Sequence, residues 1–145
     1  MQKKENSFSN AEDEAENDLC LELARLCDGL SYISETDAAM EVFVGQKARR
    51  ISREEILSQT GHGDFEPIEE ISIEGFFRKL TTVREWYNAQ QVADAGRCGE
   101  LKKLLQDSLT DIHVFQIGRI QIGIFVVGLD PSQNLVGIKT KAVET

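Results

Sequence analysis

The last third of the chain alternates apolar and polar residues, which is the pattern of strands with one buried face. Between residues 113 and 143, four apolar residues would share one strand face: Ile120, Ile122, Ile124 and Val126. Gly118-Arg119 and the segment 129–134 carry residue types that favour turns. The pattern therefore predicts three successive strands joined by short turns, an antiparallel meander.

Helical signals dominate the first part of the chain. Apolar residues from Leu19 to Leu30 form one stripe at helical spacing, with Asp18 as a candidate N-cap and Gly29 as a stop. A strand over Met40–Val44 is expected next. The chain thus begins its folded part with a helix and a strand separated by a short loop.

Short helices are expected in the middle of the chain. Ser52–Glu55 and Thr82–Glu85 match the capping-box pattern, and Ser72 is a further candidate N-cap. The helix that starts at Thr82 would hold Trp86 and Tyr87 in its first turns. One of these two aromatic residues is expected in the core, and the place of the other is left open.

A longer amphipathic helix is indicated by apolar spacing after a break or bend at Gly96 and Gly99. Its stripe would consist of Leu101, Leu104, Leu105, Leu109 and Ile112. Because helices come first and strands mostly last, we predict an α+β fold with helices packed on a mainly antiparallel mixed sheet.

The net charge of the chain indicates which classes of partner it can bind. The net charge is −9, of which residues 1–18 contribute −4 through two lysines and six acids, so the remainder contributes −5. An acidic surface repels phosphate, so we expect no direct nucleic-acid binding and no membrane binding, but a basic protein is a suitable partner. Residues 1–17 are expected to form a flexible acidic extension, and residues 18–145 a single domain that is a monomer when free.

The cysteines indicate a reducing compartment. Cys20, Cys27 and Cys98 are odd in number and have no metal-ligand spacing, so we expect core positions rather than disulfides or a metal site. No apolar run is long enough to span a membrane, and the N-terminus lacks the apolar region of a signal peptide. We therefore expect a cytoplasmic protein with no cofactor.

No catalytic constellation is visible. His62 and His113 have no Cys or His at metal spacing, and Gly61-His62-Gly63 lacks the context of a phosphate-binding loop. No serine lies in a nucleophile-elbow pattern. We expect no enzyme; a hydrolase using His62 with Asp64 is the weakest of the alternatives.

The loop between the first helix and the first strand is acidic. Ser34, Glu35, Thr36 and Asp37 supply two carboxylates and two hydroxyls with no basic residue nearby in the sequence. A solvated loop acid is the simplest interpretation of Glu35. The functional interpretation is a carboxylate that coordinates a hard cation such as Mg²⁺ held by a partner.

Several segments resemble the nuclease A inhibitor family, in order and from about Asp18 to the last residue. The segments are Gly29-Leu30 with Ser34-Glu35, Glu41-Val42-Phe43, Gln59–Gly63, Phe76-Phe77, Thr81-Thr82 with Trp86-Tyr87, and Asn134–Thr145. The resemblance implies an α/β/α-type sandwich. It also implies an inhibitor that blocks a Mg²⁺-dependent, non-specific DNA/RNA endonuclease.

The resemblance also implies site residues. Glu35 would ligate the nuclease's metal, so the chain has no metal of its own, and Thr145 would lie close to the metal-bound water. Arg84, Glu85 and Trp86 would add contacts. Arg84 stands where the family pattern has an uncharged amide, which leaves room for an alternative: an interaction module on the same fold with a non-nuclease partner.

Overall fold

Four α-helices and seven β-strands make up the computed structural model, which describes residues 10–63 and 65–145 and, among these, side chains from residue 18 onward. In chain order they are α1 (Asn10–Cys27), β1 (Ser31–Ile33), β2 (Asp37–Ala39), β3 (Glu41–Lys47), α2 (Arg53–Gln59), β4 (Ile68–Ile71), α3 (Ile73–Thr81), α4 (Ala89–Ser108), β5 (Thr110–Ile117), β6 (Gln121–Leu129) and β7 (Asn134–Val143). The predicted α+β class is confirmed.

One sheet organises the molecule. Its strand order is β3-β7-β6-β5-β4, and every neighbouring pair in it is antiparallel. The predicted C-terminal meander is present as β5, β6 and β7. The middle strand, β6, pairs with β5 on one side and with β7 on the other, so that Phe125 lies between Phe115 and Lys139.

Helices cover both faces of this sheet. On one face, Ile122, Ile124 and Val126 of β6 pack with buried residues of α1, α3 and α4. On the other face, residues such as Phe125 and Val127 pack with α2. The predicted sandwich is confirmed, although Ile120 lies in the turn before β6 and is 57% exposed. Burial of each large core side chain contributes about 1.5–3 kcal/mol.

The first helix starts earlier than predicted. It begins at Asn10, whereas the sequence analysis placed its cap at Asp18. Residues 11–16 are alanines and acids, which are good helix formers or suit a first turn, so the helix extends beyond its apolar stripe. Residues 1–9 of the expected flexible extension lie outside the described residues.

The caps of α2 and α3 are largely as predicted. Ser52 Oγ accepts from the backbone N–H of Glu55 at 3.1 Å, and Ser72 Oγ accepts from Gly75 N–H at 2.9 Å. The Glu55 carboxylate, however, accepts from the side-chain amide of Gln59 at 2.6 Å. Only the serine half of the predicted box is therefore made.

The prediction of a helix starting at Thr82 was wrong. Thr82 follows α3 as its C-cap, residues 82–88 form a loop, and α4 starts at Ala89. The capping box that is made joins Asn88 and Gln91, each accepting from the other's backbone N–H at 2.8 Å. The N-cap of the helix therefore lies at Asn88, six residues after the predicted one.

The predicted break in α4 is also wrong. Gly96 and Gly99 lie within the uninterrupted helix, while Leu109 is its C-cap and Ile112 belongs to β5. β3 differs as well: it spans Glu41–Lys47, so it passes the expected stop at Gly45. With the absent helix at Thr82, these differences change the number of helices as well as boundaries, and β4 (Ile68–Ile71) is a strand that the sequence analysis did not predict.

His113 ties the edge strand β4 to β5. Its Nδ1 lies 2.5 Å from Glu70 Oε2 and its Nε2 lies 2.9 Å from Asp111 Oδ1. Burial lowers the pKa of His113, but the hydrogen bonds to Glu70 and then Asp111 outweigh burial and leave the pKa above its usual value of 6.5. The charged imidazole is thus favoured in the folded state.

A pH dependence of stability follows from this arrangement. A raised folded-state pKa contributes stability that is fully present below pH 6.5 and is lost as pH rises through the folded value. Both carboxylates are about half exposed, so we expect these interactions to contribute less than about 1 kcal/mol to the free energy of unfolding. Urea unfolding at a series of pH values from 6 upward measures it. In His113→Gln this fall in stability should disappear; an unchanged pH dependence would contradict the assignment.

Candidate partner-binding site

The acidic loop lies at the tip of a two-stranded hairpin that the sequence analysis did not predict. β1 and β2 pair antiparallel with Ile33 opposite Asp37, and residues 34–36 close the turn. Tyr32 supports the hairpin, since its buried ring stacks on Phe76 of α3 with centroids 5.7 Å apart. Each strand has three residues, and Asp-Ala-Ala in β2 is poor in β-forming types, so no clear strand signal was present.

The hairpin is held against the end of β7. The pairing of β3 with β7 ends where Glu41 meets Lys139, and residues 140–143 of β7 continue past it. There Thr140 Oγ1 donates to the backbone oxygen of Ala39 at 3.0 Å. The free edge of β7 is thus partly covered by the hairpin.

Ser34 fixes the backbone around the turn. Its Oγ accepts from the backbone N–H of Val143 at 3.0 Å and donates to the backbone oxygen of Thr36 at 3.2 Å. The backbone N–H of Glu35 donates to Val143 O at 3.3 Å. The side chain of Ser34 and the backbone N–H of Glu35 therefore both tie the turn to Val143 of β7.

Glu35 and Thr145 meet at this tip, although they are 110 residues apart in the chain. The Thr145 backbone N–H donates to Glu35 Oε2 at 2.7 Å, and the Thr145 hydroxyl lies 2.9 Å from Oε1 and 3.2 Å from Oε2. We call this arrangement the Glu35–Thr145 clasp. The sequence analysis named both residues separately and had no signal that would pair them.

The clasp keeps an exposed carboxylate ionised. Hydrogen bonds from the Thr145 backbone and then from its hydroxyl lower the pKa of Glu35 below its usual value of 4.5. Within the described residues no lysine or arginine forms an ion pair with Glu35, so the carboxylate lacks a basic partner but not hydrogen bonds. A carboxylate accepts about four hydrogen bonds, so capacity remains for a further donor or a cation.

Arg84, Glu85 and Trp86 lie in the loop 82–88, and all three are exposed. Trp86 is 75% exposed and meets the half-buried ring of Tyr87 edge-on, with centroids 6.2 Å apart. The expectation that one of the two aromatics lies in the core is therefore wrong. In the part of the chain that the structure describes, no hydrogen bond or ring contact joins this loop to the Glu35–Thr145 clasp.

The remaining candidates have structural partners. His62 Nδ1 lies 2.6 Å from Thr60 Oγ1, and its ring packs edge-on against Phe125. Asp64, the acid considered with it, lies outside the described residues. Cys27 and Cys98 are buried, and burial raises the pKa of each thiol to about 11, in agreement with core positions.

The described ranges contain neither a metal-binding cluster nor a membrane-spanning helix. No group of three or more His, Cys, Asp and Glu side chains among residues 10–63 and 65–145 is arranged to hold a metal ion. None of the helices in those ranges has the length and apolar character that a bilayer crossing requires.

Comparison with known proteins identifies a family. A family model described as nuclease A inhibitor-like protein matches residues 17–145. A search of curated proteins found no match. The matched region begins one residue before the expected domain start and includes the hairpin, the loop 82–88 and Thr145.

Proposed function

Because the chain belongs to the nuclease A inhibitor-like family, whose members are inhibitors and not catalysts, we propose that it blocks a Mg²⁺-dependent, non-specific DNA/RNA endonuclease. In this proposal Glu35 enters the active site of the nuclease and ligates its metal. Thr145 lies beside it, and Arg84, Glu85 and Trp86 make additional contacts. In this proposal the metal belongs to the nuclease, and the inhibitor needs no cofactor of its own.

The observation that carries the proposal is the Glu35–Thr145 clasp. An inhibitor that binds a metal through one carboxylate needs that carboxylate at a fixed position before binding. The two Thr145 donors hold both oxygens of Glu35, and two bonds to Val143, one at Ser34 Oγ and one from the Glu35 N–H, hold its backbone. Ordering before association lowers the entropic cost of binding, which favours affinity.

The chemistry of Mg²⁺ supports a carboxylate in this role. Mg²⁺ prefers oxygen ligands, and a ligand must be deprotonated to bind it. In the nuclease the metal polarises the phosphate and stabilises the leaving oxygen. Glu35 supplies a charged oxygen in place of a phosphate oxygen but contains no bond that the enzyme cleaves.

The surface outside the clasp fits a nuclease partner in two respects. The net charge of −9 attracts a cleft that binds nucleic acid, which speeds association. Trp86 is an exposed aromatic side chain of the type that forms interface hot spots. Arg84 needs an acidic or acceptor group opposite it, so in this proposal Arg84 restricts which nucleases are bound.

A plasmid-degradation assay tests the proposed function. A Mg²⁺-dependent non-specific endonuclease from the same organism is titrated with the wild-type protein. We expect cleavage to stop at a one-to-one ratio, and a large excess of Mg²⁺ should not restore it, because the protein does not act by chelation. Full cleavage at micromolar protein would contradict the proposal.

The contribution of the Thr145 hydroxyl to inhibition can be tested separately from that of Glu35. Thr145→Val removes the hydroxyl donor and keeps the backbone donor, so we expect inhibition to weaken by about 1 kcal/mol. The pKa of Glu35 should also rise toward its usual value, so inhibition should be lost at a higher pH than in the wild type as pH falls. Inhibition constants measured across the acidic range test both effects.

The matched control for that substitution is Thr36→Val, which changes a neighbouring exposed threonine of the same turn. Thr36→Val should leave the pH profile of inhibition as it is in the wild type. If Thr145→Val and Thr36→Val have the same profile, Thr145 does not act through the Glu35 carboxylate.

One observation favours a second candidate, an interaction module with a non-nuclease partner. Arg84 is exposed and forms no ion pair within the described residues, so it is available to an acidic protein surface. This candidate needs Arg84 and Trp86 but not Glu35. Binding that depends on Mg²⁺ and on Glu35 argues for the nuclease; binding that depends on Arg84 alone argues for the module.

A further inference from the structure

Two exposed isoleucines lie on segments next to the Glu35–Thr145 clasp. Ile33 is the last residue of β1, two positions before Glu35, and is 64% exposed. Ile120 lies in the turn between β5 and β6 and is 57% exposed. Its backbone oxygen accepts from Glu144 N–H at 2.9 Å, which places this turn beside the residue that precedes Thr145.

Their position distinguishes these isoleucines from other exposed apolar residues. Single exposed apolar side chains are common and need no explanation by themselves. Ile33 and Ile120, however, come from separate segments that hydrogen bonds bring to one place around an ionised carboxylate. Exposed apolar side chains on two segments next to a carboxylate suit a contact in which the carboxylate meets a cation and the surrounding surface excludes water.

We propose that Ile33 and Ile120 form an apolar rim that packs on the nuclease surface bordering its catalytic metal and excludes water from the bond between Glu35 and that metal. The inference rests on the proposed function. Electrostatic attraction is stronger where water is excluded, and central contacts in interfaces are commonly surrounded by side chains whose main role is that exclusion. The rim therefore acts through the metal contact of Glu35.

The test uses substitutions that preserve the preference of the backbone for an extended conformation. Ile33→Thr and Ile120→Thr keep a β-branched side chain but replace an apolar group by a hydroxyl. Val44→Thr is the matched control, since Val44 is 52% exposed on β3. It pairs with Val136, seven residues before Val143 on β7, which is about 20 Å from the clasp at the rise of a strand.

The wild type and each variant are bound to a non-specific endonuclease that the wild type inhibits. The dissociation constant of each complex is measured once with Mg²⁺ and once after removal of the metal. With Mg²⁺, we expect Ile33→Thr and Ile120→Thr each to weaken binding about fivefold or more, the threshold of a significant interface residue. Without the metal, the loss should fall below twofold. Val44→Thr should bind like the wild type in both conditions.

The outcomes separate this inference from the function on which it depends. If the wild type neither binds nor inhibits, the proposed function fails. If the wild type inhibits and both isoleucine variants bind as tightly with Mg²⁺, the rim is overturned. An equal loss with and without Mg²⁺ also overturns it, because the isoleucines would then contribute contact area without sealing the metal bond.

Discussion

Glu35→Ala should weaken inhibition by about 2–4 kcal/mol, the scale of an interface hot spot, without changing thermal stability. The substitution removes the proposed metal ligand together with both hydrogen bonds of the clasp, whereas Glu35 is exposed and contributes nothing to the core. Inhibition constants from plasmid degradation, with thermal unfolding of the same samples, measure the two quantities.

Two matched variants identify the source of that loss. Glu35→Gln retains an oxygen that accepts from Thr145 but lacks the charge, so it should lose most of the same affinity if the charge on the metal matters. Asp37→Asn removes an acid from the same hairpin, opposite Ile33, and should have a small effect. Equal inhibition by wild type and Glu35→Ala would remove Glu35 from the mechanism.

Gly137→Ala should lower the free energy of unfolding by about 3 kcal/mol, the upper part of the range for overpacking. A Cβ at Gly137 would lie 1.8 Å from the backbone oxygen of Val126, within the pairing of β6 and β7. The obstacle is backbone rather than a flexible side chain, so the two strands must separate. Urea unfolding monitored by circular dichroism measures the change.

Gly96→Ala is the control for this prediction. Gly96 lies inside α4, and nothing lies within 4 Å of a Cβ added there. Alanine should therefore stabilise the helix by about 0.5–1 kcal/mol. If Gly137→Ala unfolds at the same urea concentration as the wild type, the close approach of β6 and β7 is not as tight as the structure has it.

The meander was predictable because its signal is local and repeated. Alternation up to Ile124 and turn residues before and after β6 specify the strand and its order. The expectation of one buried face was wrong, because residues 124–129 of β6 are all buried between helices on the two faces. Ser52 and Ser72 were predictable for a similar reason, since a cap depends on residues three positions apart. The loop 82–88 was missed because the same short pattern occurs at Thr82 and at Asn88, and only tertiary packing decides between them.

The sequence suggested which residues form the candidate site, but it did not predict how they are arranged in space. Glu35 and Thr145 were named through a family resemblance, and no spacing in the chain joins two residues 110 positions apart. Their meeting depends on β7 continuing past the end of its pairing with β3 and on a hairpin of two three-residue strands. Ile33 and Ile120 were missed as a pair because their segments are brought to the same end of β7 only by tertiary hydrogen bonds, from Glu144 to Ile120 and from Val143 to Ser34.

The position of β7 has a consequence for the motion of the site. β7 is an interior strand, paired with β6 and β3, and Val143 near its end pairs with Gln121 and bonds Ser34. Interior strands generally open only when the whole molecule unfolds, whereas short hairpins open locally. Amide exchange at Ile138, which pairs with Val42 of β3 and Val126 of β6, should thus be slow and limited by global unfolding. The N–H of Val143 lies beyond the pairing with β3 and donates to Ser34 of the hairpin, so it should exchange when the hairpin opens. The hairpin, which holds Glu35, should therefore open more often than the sheet to which it is bonded.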